Sequence, residues 1–156
     1  MKTKFITMIV MCLAVTPVIC SQEISSLPIE CLSPEQDGSL TVLVTGSGRN
    51  MNDAREQALK NAVSAILFDG IRNNNSGYTS KPLLLEVNAR ERYQDYFNIF
   101  FTDGGEFTKY ASKEDMRIFS REKQRGRHEV HVRFAVRVLV PQLKEKLVTD
   151  GIIKVK

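Results

Sequence analysis

Residues 40–71 read LTVLVTGSGRNMNDAREQALKNAVSAILFDGI, and one periodicity gives way to another within them. Leu40, Val42 and Val44 alternate with Thr41, Leu43 and Thr45. This period of two predicts a strand, apolar enough on both sides to be covered on both. Gly46-Ser47-Gly48 is expected to end it. From there the spacing becomes helical: Ala54, Ala58, Ala62 and Ala65 recur along one line, and Leu59, Val63, Ile66 and Leu67 widen the stripe. Asn52 is placed to cap this helix, Asp53 and Glu56 suit the positive end of its dipole, and Asp69-Gly70 offers a stop. A stripe of alanines lets a helix lie close against a sheet, so the pair predicts helix-on-sheet packing.

Outward toward the C-terminus, residues 73–82 are polar and read as a loop. It contains Asn74-Asn75-Ser76, a glycosylation sequon that matters only in a eukaryotic secretory host. Residues 83–101 carry Ala89, Tyr93, Phe97 and Phe100 on one stripe, with Tyr96 beside it, which predicts a second helix closed by Asp103-Gly104-Gly105. Strands are expected at 106–111, weakly, at 114–123, and most strongly at 128–140, where Val130, Val132, Phe134, Val136, Val138 and Val140 alternate. Pro141 suits the first turn of a short last helix running through Leu143 and Leu147 to Gly151. The expected domain, residues 39–156, is α+β: a mostly antiparallel sheet of about four strands, two main helices packed on it, and a short C-terminal helix. Pairing residue 118 with 134 and 116 with 136 keeps Met116 and Ile118 with Phe134 and Val136. It requires a hairpin loop of about three or five residues around Arg125-Gly126-Arg127.

Outward toward the N-terminus, residues 21–38 show little periodicity and read as a loose arm or tether. Residues 1–20 have the layout of a secretory signal peptide: basic Lys2 and Lys4, an apolar run from Phe5 to Val15, Pro17, then Val18-Ile19-Cys20-Ser21. The apolar run falls short of the roughly 20 residues that span a bilayer. Cleavage before Ser21 would release an exported protein. Lipidation of Cys20 would instead tether it, the only membrane attachment expected, although Ile19 departs from the lipobox pattern. The location expected is the periplasm, the outer-membrane surface or the exterior.

The remaining length suits one domain with one core. The formal charge is +4, and about +2 without Lys2 and Lys4, too mild to argue for nucleic acid. Cys31 has no evident partner and no neighbouring histidine, so neither a disulfide framework nor a thiol nucleophile is expected. His128 and His131 point to opposite faces of a strand and cannot share an ion, so no metal site is expected. Met51 stands where a dinucleotide turn would need its third glycine, so Gly46-Ser47-Gly48 reads as a turn and no cofactor is expected. Glu91 and Asp95 lie one turn apart, but among Arg90 and Arg92 they read as surface charge, and no catalytic residue is assigned.

One constellation remains. The expected register collects Arg117, Arg121 and Lys123 with His131, Arg133 and Arg137 on the outer face of the hairpin, around Phe119. Such a face could bind an anionic envelope component or an envelope protein. The plainer reading is a solvated sheet face on which isolated charge pairs contribute about 0–1 kcal/mol each.

The strand ending in Gly-x-Gly, TVLVTGSG, followed by NDAREQALKNAVSAILFDGI, resembles the LPP20 lipoprotein family and is similar to the N-terminal domain of flagellar assembly protein T. The resemblance spans residues 40–71. It implies a helix packed on a small sheet and an envelope accessory role rather than an enzyme, and it carries no catalytic residue with it. The function expected is therefore a non-enzymatic envelope protein acting by binding or assembly; the alternatives are a carboxylate-based envelope hydrolase and a secreted structural subunit.

Overall fold

In the computed structural model the described residues are 29–72, 78–111, 116–123 and 129–154. The main sheet is built from β1 (Glu30–Pro34), β2 (Leu40–Gly48), β5 (Arg117–Lys123) and β6 (Val130–Val138), in the order β1-β2-β6-β5, antiparallel throughout. A short second hairpin pairs β3 (Ile71–Arg72) with β4 (Thr79–Ser80). The helices are α1 (Met51–Ser64), α2 (Ala89–Arg92), α3 (Gln94–Phe100) and α4 (Val140–Thr149). The chain is α+β, as the periodicities predict.

The pairing of β2 with α1 builds the centre. Val42 and Val44 of β2 face the core with Val132, Phe134 and Val136 of β6, and Ala54, Ala58 and Ala62 of α1 lie on them, all essentially inaccessible. Gly46 is not a turn residue but an interior residue of β2, opposite Val132. A Cβ at Gly46 would stand 1.9 Å from the carbonyl oxygen of Ala54, and one at Gly48 would stand 2.5 Å from Cβ of Asp53. Both glycines therefore serve the close approach of α1 to the sheet, with the alanines as the other half of that contact. The cap of α1 is Asn50, not Asn52: its Oδ1 accepts from the backbone N–H groups of Asn52 at 2.8 Å and Asp53 at 3.0 Å. Caps of this kind contribute about 1 kcal/mol.

Beyond Ser64 the helix widens. Residues Ala65–Asp69 form a π-turn, closed by the Gly70 N–H on the Ala65 carbonyl at 2.8 Å. The extra residue in the turn allows Ala65, Ile66 and Leu67 to be buried in succession, which an α-helix stripe does not. The carbonyls of Ile66 and Leu67 accept from the N–H groups of Leu83 (3.0 Å) and Leu84 (2.9 Å). Those bonds correct the expected second helix. Leu83 and Leu84 are tied to the π-turn, helix begins only at Ala89, and it breaks at Tyr93 into α2 and α3. The predicted stripe survives the break, with Ala89, Phe97 and Phe100 buried.

Two further expectations are revised. Residues 106–111 form a 3₁₀ turn, Glu106–Lys109, that buries Phe107; only Ala111 bridges to the sheet, at Val138. The segment read as a loose arm supplies edge strand β1, with Cys31 opposite Val42 and 2% exposed. Burial pushes the Cys31 thiol up, so it stays protonated near neutral pH. The last helix forms as expected, with Pro141 in its first turn and Leu143 and Leu147 in the core.

Candidate functional site

The basic face is expected on the hairpin β5–β6, and the register of that hairpin departs from the expected one at a single residue. Arg117 pairs with Ala135 and Ile118 with Phe134, as predicted, but the next pair is Ser120 with Arg133. Phe119 is thus an extra residue, a β-bulge. Every pairing beyond it is shifted by one residue. Arg121 stands opposite Val132 and Lys123 opposite Val130, in register with the core-facing positions of β6, while positions 120 and 122 take the outer-face register. The parity of the connection changes too: residues 124–129 join the paired ends, an even number rather than an odd one. The loop around Arg125-Gly126-Arg127 lies outside the described residues, as do His128 and Cys20.

The two outer-face arginines of β6 are already engaged. Arg133 Nη2 meets Glu30 Oε1 of β1 at 3.4 Å. Arg137 donates from Nη2 to Asp37 at 2.7 Å and from Nε to Ser39 Oγ at 2.9 Å. The hydroxyl and N–H of Ser39, followed by the Arg137 guanidinium, hold the Asp37 carboxyl down at about 2. His131 Nε2 lies 3.6 Å from Glu129 Oε2. Acidic residues of β1 and its turn, which sequence spacing did not bring to this face, therefore offset much of its positive charge. Arg117, Ile118 and Phe119 remain exposed together, with Ile118 at 51% and Phe119 at 64%. Both edge strands are bulged, β1 between Cys31 and Ser33 and β5 at Phe119.

A second feature lies on the helical side. An open groove of about 370 Å³ runs between α1 and α3. Its apolar part is Phe68 of the π-turn, Phe97 of α3 and Phe101; Phe68 and Phe97 meet edge to face at 4.9 Å. Gln57, Asn61, Ser64 and Asn98 supply its polar rim, and Lys60 and Arg90 its charge. No carboxylate lines it. Lys60 is committed to Asp103 and sits over the ring of Phe107 at 5.7 Å. Arg90 stacks over Phe68 at 4.5 Å and donates from Nη2 to Ser64 Oγ at 2.7 Å. Sequence spacing missed this groove. Phe68 falls off the α-helical stripe and is placed by the π-turn, and Arg90 looked like one of several surface charges.

The ionisable cluster on α4 is structural. Lys146 bridges Asp150 at 3.1 Å and Glu106 at 3.3 Å, and the Tyr96 hydroxyl donates to Asp150 at 2.6 Å. Burial, then the Asp150 carboxylate, pushes the Tyr96 phenol well above its usual range. Burial alone would raise Asp150, but the bonds from Tyr96 and Lys146 outweigh it and hold the carboxyl low. These contacts pin the end of α4 to α3 and to the 3₁₀ turn. Glu91 and Asp95 fall on separate helices, both exposed. Among the described residues no group of three or more His, Cys, Asp or Glu could hold a metal ion, and no helix is long and apolar enough to cross a membrane.

The fold and these surfaces define a class, a two-layer α+β domain with a bulged antiparallel sheet. No protein-family model, curated protein or solved structure matches the chain.

Proposed function

We propose that this chain is an exported, non-enzymatic envelope accessory protein that binds a partner through the bulged half of β5, at Arg117, Ile118 and Phe119. The observation that carries the reading is Phe119, 64% exposed on a bulge beside an exposed arginine and an exposed isoleucine. Aromatic residues and arginine are enriched at interface centres. Bulges disturb the regular ladder that strand addition needs, so contact through side chains fits this edge better than pairing of backbones. The partner is an envelope protein or an anionic envelope component, met by the charge of Arg117. The envelope assignment rests on the signal-peptide layout of residues 1–20 and on the resemblance of residues 40–71 to the LPP20 and flagellar assembly protein T families. The carboxylate hydrolase has less support, because the groove carries no acid and Glu106 and Asp150 are tied to lysine.

The test is photo-crosslinking in intact cells, with a benzophenone side chain placed at position 119 or, as a control, at exposed position 144 of α4. A discrete adduct from 119 that is absent from 144 and is lost with Arg117→Glu is expected. Equal labelling at both positions would sink this reading of β5.

A further inference from the structure

We infer that the groove between α1 and α3 is a binding site for a small carboxylate carrying a flat apolar ring, with the ring on Phe68, Phe97 and Phe101 and the carboxylate on Arg90. The groove is independent of the β5 surface. Its volume, about 370 Å³, falls at the lower end of the range for ligand sites and suits a single substituted ring. Its charge points to an anion. Lys60 is taken up by Asp103, but Arg90 has no carboxylate partner among the described residues. Stacking on Phe68 and the bond to Ser64 hold the guanidinium in one plane while leaving most of its N–H groups unused. A planar fork of donors fixed in this way matches a carboxylate in two-point contact, and little rotamer freedom is left to lose on binding. A phosphate dianion would bring more charge than the single guanidinium of Arg90 offsets.

The π-turn is the second observation. Its extra residue carries Phe68 to the groove, where it meets both Phe97 and Arg90. Such turns are rare and recur at functional sites. Asn98, exposed at the rim on α3, is placed to bond a substituent on the ring.

The experiment is an amide-resolved NMR titration of the protein with 3-phenylpropionate and with its neutral analogue 3-phenylpropionamide. Saturable shifts confined to residues 57–68 and 90–101 are expected, with the carboxylate bound about tenfold more tightly than the amide, the scale of a hydrogen-bonded charge. Arg90→Gln should remove that preference, and Arg90→Lys should keep part of it, since charge remains but the fork is lost. Arg90 is exposed, so the loss of its contacts with Phe68 and Ser64 should lower the thermal midpoint by no more than a few degrees in either variant. Equal affinities for the two probes with the native protein, shifts centred elsewhere, or no saturable shift would overturn the assignment. The probe comparison on the native protein stands even if a variant misfolds.

Discussion

Arg137 shows how a residue's surroundings can reverse its apparent role. In sequence it is one of six positions on a basic hairpin face. In the fold it reaches Asp37 at 2.7 Å and Ser39 at 2.9 Å, closing the β1–β2 turn onto β6. Asp37 is the anion in that contact, with its pKa lowered from 3.8 to about 2. A lowered pKa means that the folded state binds the proton less readily than the unfolded chain. The stabilisation is therefore complete above about pH 4 and is lost as pH falls toward 2. Asp37→Asn should lower stability at pH 7, and the difference from the native protein should close over that acid window. Urea midpoints measured between pH 7 and pH 2 check it, and a difference that stays constant across the range would show that the carboxylate is not the stabilising group. Nothing in the spacing of residues 117–137 pointed to an acid one hundred positions away in the chain.

At the scale of elements, Gly46 governs the distance between α1 and β2. The alternation up to Val44 was legible as a strand and the alanine stripe as a helix. That the strand continues through Gly46 to Gly48 beneath that helix was not, because glycine leaves no side chain to register in the pattern. Gly46→Ala should destabilise by about 3 kcal/mol or more, since its Cβ would have to displace the carbonyl oxygen of Ala54 and the backbone nitrogen and Cβ of Ala58, none of them the far end of a flexible side chain. Ser47→Ala, on the opposite face of the same strand, should change stability by less than about 0.5 kcal/mol. Chemical denaturation of both variants reads this directly, and similar midpoints would mean that α1 can lift from the sheet. The bulge at Phe119 and the π-turn at 65–69 were also hidden. Each inserts one residue, and single insertions leave both periods locally intact while changing the face of all that follows.

At the scale of the whole molecule, the domain reaches closer to the N-terminus than its periodicity suggests, because Cys31 lies in the core and β1 is an edge of the main sheet. This bears on the two processing outcomes proposed for residues 1–20. If Cys20 carries a lipid, residues 21–29 are the whole tether to β1, and the edge of the sheet can stand no more than about 36 Å from the lipidated residue. Mass spectrometry of the protein recovered from its native cell should find Ser21 as a free N-terminus. An acylated Cys20 would move the protein to the membrane-tethered alternative, and a retained Met1 would remove export by cleavage altogether. Assembly through edge strands has less to recommend it, since both edges are bulged.

The sequence by itself determined the α+β class, the alanine-striped helix on a valine-rich strand pair, the buried aromatic line of α3, and the last helix opened by Pro141. All of these are local periods, and a buried face repeats at the period of its own element. Only the tertiary structure decided which charges on the hairpin are offset, that the close contact of β2 with α1 needs two glycines, and that Phe68 and Arg90 meet in a groove. Those depend on insertions of one residue and on partners far apart in the chain, and neither leaves a periodic trace.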